Sequence, residues 1–134
     1  FAHHPTAITG AIESLRARWP DREIIACFEP RSNTAVTNIF ESRFVEALAL
    51  ADVALLGAIY RAEKIPPENR IDPQNMIIRI NELGKKGHAF ESNQNLERFL
   101  MSSEFSNPSL VVFFSNGSFD GVIDRFTDSF ERRK

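Results

Sequence analysis

The sequence predicts an α/β domain: a three-layer, Rossmann-like arrangement of a mostly parallel sheet with helices on both faces. Three observations carry this. Helical apolar periodicity alternates with short apolar runs along the chain. Those runs are apolar at every position, as expected for strands covered on both sides rather than strands with one wet face. The chain has 134 residues, 43% of them hydrophobic and 25% charged, enough for one real core and one domain.

Each element has its own justification. Ile8, Ile12, Leu15 and Trp19 form one stripe of a helix starting near Pro5, where a proline's missing N–H has no intrahelical partner to lose. Pro20-Asp21 stops it. Ile24-Ile25-Ala26-Cys27-Phe28 reads as the first strand, and residues 29–38 as a polar loop. Phe40, Phe44, Ala47 and Leu48 mark a second helix, and Val53-Ala54-Leu55-Leu56 a second strand ending at Gly57. After a loop containing Pro66-Pro67, Asp72-Pro73 starts a third helix, with Asp as cap and Pro at its first position. Met76, Ile77, Ile80 and Leu83 supply its buried face, and Gly84 ends it.

His88-Ala89-Phe90 is a weak third strand, and Leu96, Phe99 and Leu100 indicate a fourth helix. Leu110-Val111-Val112-Phe113-Phe114 is the clearest strand in the chain. Ser115-Asn116-Gly117-Ser118 makes a sharp loop. Phe119, Val122, Ile123, Phe126 and Phe130 then form a closing amphipathic helix, with Arg132-Arg133-Lys134 at its negative end. The 12 phenylalanines are read as core. Right-handed crossovers follow for parallel strands.

The charge balance narrows the function. With 16 basic and 18 acidic residues the chain lacks the concentrated positive face that nucleic acids or membrane surfaces require. No stretch approaches the ~20 apolar residues of a membrane span, and no signal peptide is evident. Cys27 is the sole cysteine, which fits a reducing compartment. The chain opens on Phe1 rather than methionine and is read as a piece of something longer. It contains no phosphate-binding Gly-x-x-x-x-Gly-Lys-Ser/Thr loop, no dinucleotide Gly-x-Gly-x-x-Gly, no Gly-x-Ser-x-Gly and no His-Glu-x-x-His.

In open α/β sheets, ligands gather beyond the carboxyl ends of the strands. Three loops fall there: Glu29-Pro30-Arg31-Ser32-Asn33-Thr34, the segment through Tyr60, Arg61, Glu63 and Lys64, and Ser115-Asn116-Gly117-Ser118. Arg31 follows a buried strand and suits bidentate binding of a carboxylate, although a solvated surface arginine is the bland alternative. Ser115-Asn116-Gly117 is also compatible with a plain tight turn. His3-His4 lie just before a helix N-terminus, a place that attracts anions. Neither they nor Cys27 show metal-ligand spacing, so no metal site is expected. Cys27 reads as a small core residue, and Lys85-Lys86 as a solvated helix end.

Phe1-Ala2-His3-His4-Pro5-Thr6-Ala7-Ile8 resembles the start of the C-terminal domain of the Mur ligases, ATP-dependent amide-forming enzymes of peptidoglycan synthesis. Three further stretches look like the members that take a peptide: Phe28-Glu29-Pro30-Arg31-Ser32-Asn33-Thr34, Ile59-Tyr60 with Ala62-Glu63-Lys64, and Phe114-Ser115-Asn116-Gly117-Ser118-Phe119-Asp120-Gly121. In the members that take L-alanine, Pro-His-Arg-Tyr is usual at the second motif.

The resemblance implies a cytoplasmic bacterial ligase of cell-wall recycling. It would join UDP-N-acetylmuramate to the murein tripeptide L-Ala-γ-D-Glu-meso-diaminopimelate through an acyl phosphate. An N-terminal UDP-binding domain and a central domain holding ATP and Mg2+ would lie outside this chain, which alone would be inactive and carry neither cofactor nor catalytic residue.

The resemblance also places Arg31, Ser32, Asn33 and Thr34 in the loop that binds the incoming substrate's carboxylate. Ser115, Asn116 and Phe119 fall in a second substrate loop, and His3 and His4 near the nucleotide phosphates. It implies too that the family's first strand precedes Phe1, so that a central strand of the sheet is wanting. A UDP-N-acetylmuramate–L-alanine ligase domain and a non-enzymatic binding module are the alternatives.

Overall fold

A computed structural model of the chain describes residues 4–30, 38–59, 62–102, 109–115 and 119–132. Five α-helices and four strands alternate: α1 (Pro5–Arg18), β1 (Glu23–Phe28), α2 (Glu41–Leu48), β2 (Val53–Leu56), α3 (Pro73–Glu82), β3 (Lys86–Ala89), α4 (Asn93–Ser102), β4 (Ser109–Phe114) and α5 (Val122–Arg132). Short 3-10 turns occupy Ala62–Lys64, Pro67–Asn69 and Phe119–Gly121. The strands form one parallel sheet in the order β3-β2-β1-β4. No helix among the described residues is long and apolar enough to cross a membrane.

Alternation along β1 explains why its sequence is apolar throughout. Ile24, Ala26 and Phe28 point into the layer of α1, α2 and α3, where they meet Ile8, Ile12, Phe44, Leu48, Met76 and Ile80. Ile25 and Cys27 point the other way, against Leu96 and Leu100 of α4 and Val122 of α5. Helix boundaries follow local chemistry. His4 caps α1 by accepting the Thr6 N–H through Nδ1 at 3.2 Å, and Asp72 caps α3 by accepting the Asn75 N–H at 3.1 Å. Gly84, at φ +83°, closes α3: its N–H meets the Asn81 carbonyl at 3.0 Å while that of Lys85 reaches Ile80 at 3.3 Å.

Four sequence expectations change. β4, the most apolar strand, is half-buried over most of its length, because it lies at the sheet edge. Leu83 is 56% exposed: it is the last residue before the Gly84 reversal and lies past the end of α3. Lys86 is not a helix end but opens β3, paired with Val53. Among the described residues the pairing is continuous from β3 to β4, so a strand preceding Phe1 would add at an outer edge of this sheet rather than at its centre.

Candidate functional site

The strand period sets what lies at the carboxyl edge. β1, β2 and β4 end level, with Phe28 opposite both Leu56 and Phe114. The next residues, Glu29, Gly57 and Ser115, therefore turn toward the α4–α5 side, continuing the rows of Cys27, Leu55 and Phe113. Backbone bonds carry the ladder one step further: Glu29 N–H to Phe114 O at 3.0 Å, and Gly57 N–H to Phe28 O at 2.8 Å.

A buried polar junction forms there. Glu29 is 2% exposed, and its carboxylate accepts the Ser115 hydroxyl at 2.6 Å and an Asn93 Nδ2–H at 2.7 Å. Asn93, the first residue of α4 and 3% exposed, also donates through Nδ2 to Asp120 Oδ2 at 2.9 Å. Its Oδ1 accepts the Ala58 N–H at 2.9 Å. Gly57 makes room: a Cβ there would stand 2.4 Å from Asn93 Oδ1 and 2.8 Å from Phe119 Cε1.

The turn that presents Asp120 is left-handed. Phe119, Asp120 and Gly121 take φ of +59°, +55° and +82°, and for non-glycine residues this region costs about 1–2 kcal/mol each. Three contacts hold it. Phe119 is fully buried, edge-on to Phe113 with ring centroids 5.6 Å apart. The Asp120 carboxylate takes the Asn93 amide, and its carbonyl accepts from Arg125 at 2.9 Å. Arg125 is itself paired with Glu97 at 2.7 Å. That hydrogen bonding holds the Glu97 carboxyl below its usual range, against a smaller opposing effect of burial, and raises Arg125 further.

Two open clefts flank the junction. One of about 930 Å³ runs between Asn93, Glu97, Arg98, Asp120 and Arg125. A smaller one of about 380 Å³ lies at the ends of β2 and β3, bordered by Gly57, Ala58, Ile59, Ala89 and Phe90.

The structure brings some candidates together. Ser115 and Phe119 converge on the junction, but both are buried: Ser115 is engaged by Glu29 and Phe119 packs in the core, so neither presents surface to a ligand. His4 stands at the same sheet edge, its ring 5.4 Å from that of Phe40 just ahead of α2. Glu63 and Lys64 are exposed on the turn after β2. Arg31, Ser32, Asn33, Thr34, Asn116 and His3 lie outside the described residues, as do Tyr60 and Arg61.

Sequence reasoning missed Asn93, Asp120 and the role of Glu29. The one signal was an acidic residue directly after an apolar strand, which must be solvated or paired. Burial pushes the Cys27 thiol far up, so it is no nucleophile. Among the described residues no three His, Cys, Asp or Glu side chains converge as a metal site would require.

Fold and site together define a Rossmann-like α/β domain that sends polar loops from the carboxyl edge of its sheet, braced by a buried junction. No protein-family model matches the chain. A UDP-N-acetylmuramate–L-alanine ligase of Lactococcus lactis subsp. cremoris is 35% identical over 85 residues, covering 63% of this chain and 19% of that protein. The solved murein peptide ligase of Psychrobacter arcticus superposes with a TM-score of 0.71 at 26% identity, over 96% of this chain and 26% of that one. A UDP-N-acetylmuramate–alanine ligase from Thermotoga maritima gives 0.72 at 20% identity, over all of this chain and 26% of its own. The chain thus spans about a fifth of the length of the curated relatives it matches. Its curated relatives are Mur ligases, and its fold matches the C-terminal domains of that family.

Proposed function

We propose that the chain is the incoming-substrate domain of an ATP-dependent ligase. That ligase joins UDP-N-acetylmuramate to the tripeptide L-Ala-γ-D-Glu-meso-diaminopimelate in cytoplasmic recycling of the cell wall. The observation that carries the reading is the Glu29–Ser115 bond, which ties together the roots of the two loops bearing Arg31 and Asn116. A ligand held by groups from two loops needs those loops fixed to within a fraction of an ångström.

In this reading Arg31, with Ser32, Asn33 and Thr34, grips a carboxylate of the peptide, and Asn116 bonds to it from the second loop. Ser115 and Phe119 form the wall behind. His3 and His4 lie toward the nucleotide phosphates. ATP and Mg2+ supply phosphorylation of the muramoyl carboxylate from the central domain, since this sequence offers no phosphate loop: Gly84-Lys85-Lys86-Gly87 is a helix stop running into β3. What this chain contributes is orientation of the attacking amine and neutralisation of the peptide's acidic groups.

The residues at 29–34 favour the tripeptide. The 35% identity to an L-alanine ligase is the observation favouring L-alanine as the second reading. The full-length product of the reading frame containing this chain should form the amide bond in an ATP-dependent assay with tripeptide more efficiently than with L-alanine. Preference for L-alanine selects the second reading, and turnover of neither indicates a non-enzymatic module. Arg31→Ala should raise the tripeptide KM about tenfold or more while leaving the KM for ATP and UDP-sugar near normal. An unchanged tripeptide KM removes Arg31 from the site.

A further inference from the structure

We propose that Asn93 is a positioning residue whose single amide fixes, relative to one another, the points at which the chain leaves β1 and β2 and the turn that enters α5. What the neighbouring loops bind rests on the function proposed above; that one amide couples these points does not.

The amide reaches three separate segments. One Nδ2 hydrogen goes to Glu29 at 2.7 Å, the other to Asp120 at 2.9 Å, and Oδ1 takes the Ala58 N–H at 2.9 Å. Glu29 passes the connection on to Ser115 at 2.6 Å. Every contact falls at the root of a polar loop. Glu29 stands two residues before Arg31, Ala58 two before Tyr60, and Ser115 directly before Asn116. At 3% exposure water competes little for these bonds, so losing one leaves a buried group unsatisfied. One of the two carboxylates on this amide, Glu29, is buried, while Asp120 reaches it from the exposed side, and an apolar side chain at position 93 would leave Glu29 short of a donor. The geometry is that of a clamp.

Asn93→Asp tests it. The change keeps the shape but replaces the shared donor with oxygen between two carboxylates. The charged groups facing the junction are Glu29 from the end of β1, Asp120 from the turn before α5, and Arg125 of α5, which bonds the Asp120 carbonyl and pairs with Glu97 of α4. The new carboxylate would stand against the buried Glu29 carboxylate and beside Asp120, so its own charged form is disfavoured and its protonated form restores one donor. The added acid has a raised pKa when folded. Its penalty is therefore absent at low pH and grows as pH rises above about 4, the unfolded aspartate value.

In the full-length ligase, the Asn93→Asp tripeptide KM relative to wild type should be about tenfold or more at about pH 8, and fall to within about threefold at about pH 5.5. The ATP KM should stay constant. Asn93→Ala should raise the tripeptide KM similarly at both pH values. A variant that melts lower but keeps the wild-type peptide KM at both would overturn the proposal, leaving Asn93 merely structural. Hydrogen exchange on the 134-residue chain gives a readout independent of activity. At about pH 8, Asn93→Asp should speed exchange, relative to wild type at the same pH, in segments 28–29, 57–59 and 119–121 together. Acceleration confined to one segment would refute the coupling. An inactive wild type with coupled exchange would sink only the proposed function.

Discussion

Ser115, at the end of β4, gives its hydroxyl hydrogen to the carboxylate of Glu29, at the end of β1, across 2.6 Å, and both side chains are 2% exposed. Two neighbouring strands are thereby joined beyond their last ladder bond, where the loops begin. The carboxylate accepts from Asn93 as well, and the amide ties in β2 and the turn before α5. The carboxyl edge of the sheet is thereby cross-linked just past the ends of its strands.

Glu29→Gln keeps one acceptor but sets an NH2 group against a donor. It should destabilise the chain by about 1–3 kcal/mol, read from urea denaturation midpoints. A loss under about 0.5 kcal/mol would mean that the junction is far wetter than its burial indicates.

Two glycine substitutions should act with opposite signs. Gly57→Ala places a methyl group 2.4 Å from Asn93 Oδ1 and should cost about 1–3 kcal/mol. Gly10→Ala, inside α1 with nothing within 4 Å, should add about 0.5–1 kcal/mol. Equal effects in chemical denaturation would show that close packing at Gly57 is not what selects glycine.

The Glu97–Arg125 pair gives a pH signature. Because Arg125 lowers the Glu97 pKa from its ordinary 4.5, the pair's contribution is complete above that value and is lost as pH falls through the lower folded one. Glu97→Gln should melt slightly below wild type at neutral pH, and the two curves should merge in acid. A difference that persists unchanged in acid would point to packing rather than charge.

Cys27 should resist thiol reagents in the native state and react only as fast as the chain opens. Its raised pKa also implies stability that is full below the ordinary 9.0 and declines as pH climbs beyond it. Rapid native labelling near neutrality would contradict burial of β1.

Much of the fold was legible because its determinants are local. The Asp72-Pro73 start and Gly84 stop of α3 depend on capping geometry within a few residues, and both occur as read. The edge placement of β4 was not legible, since Leu110-Val111-Val112-Phe113-Phe114 is as apolar as central β1 and only strand order separates them. Leu83 misled for a similar reason: helical spacing assigns a face but not where the neighbouring sheet ends.

The candidate site divides in the same way. Position placed Ser115 and Phe119 at the carboxyl edge of the sheet, and there both are buried, Ser115 against Glu29 and Phe119 in the core. Asn93 gave no sign in the sequence, because an asparagine opening a helix is ordinary there and its three partners lie 27 to 64 positions away.

By itself, then, the order of residues determined the alternation of helices and strands, the sheet edge that bears the polar loops, and the motifs shared with a family of ligases. These are consequences of periodicity, capping and short-range spacing. Only the tertiary structure decided which strand is exposed, which glycine has no room for a methyl group, and which amide gathers two carboxylates. Such facts arise where distant segments compete for the same few cubic ångströms, and no local rule contains them.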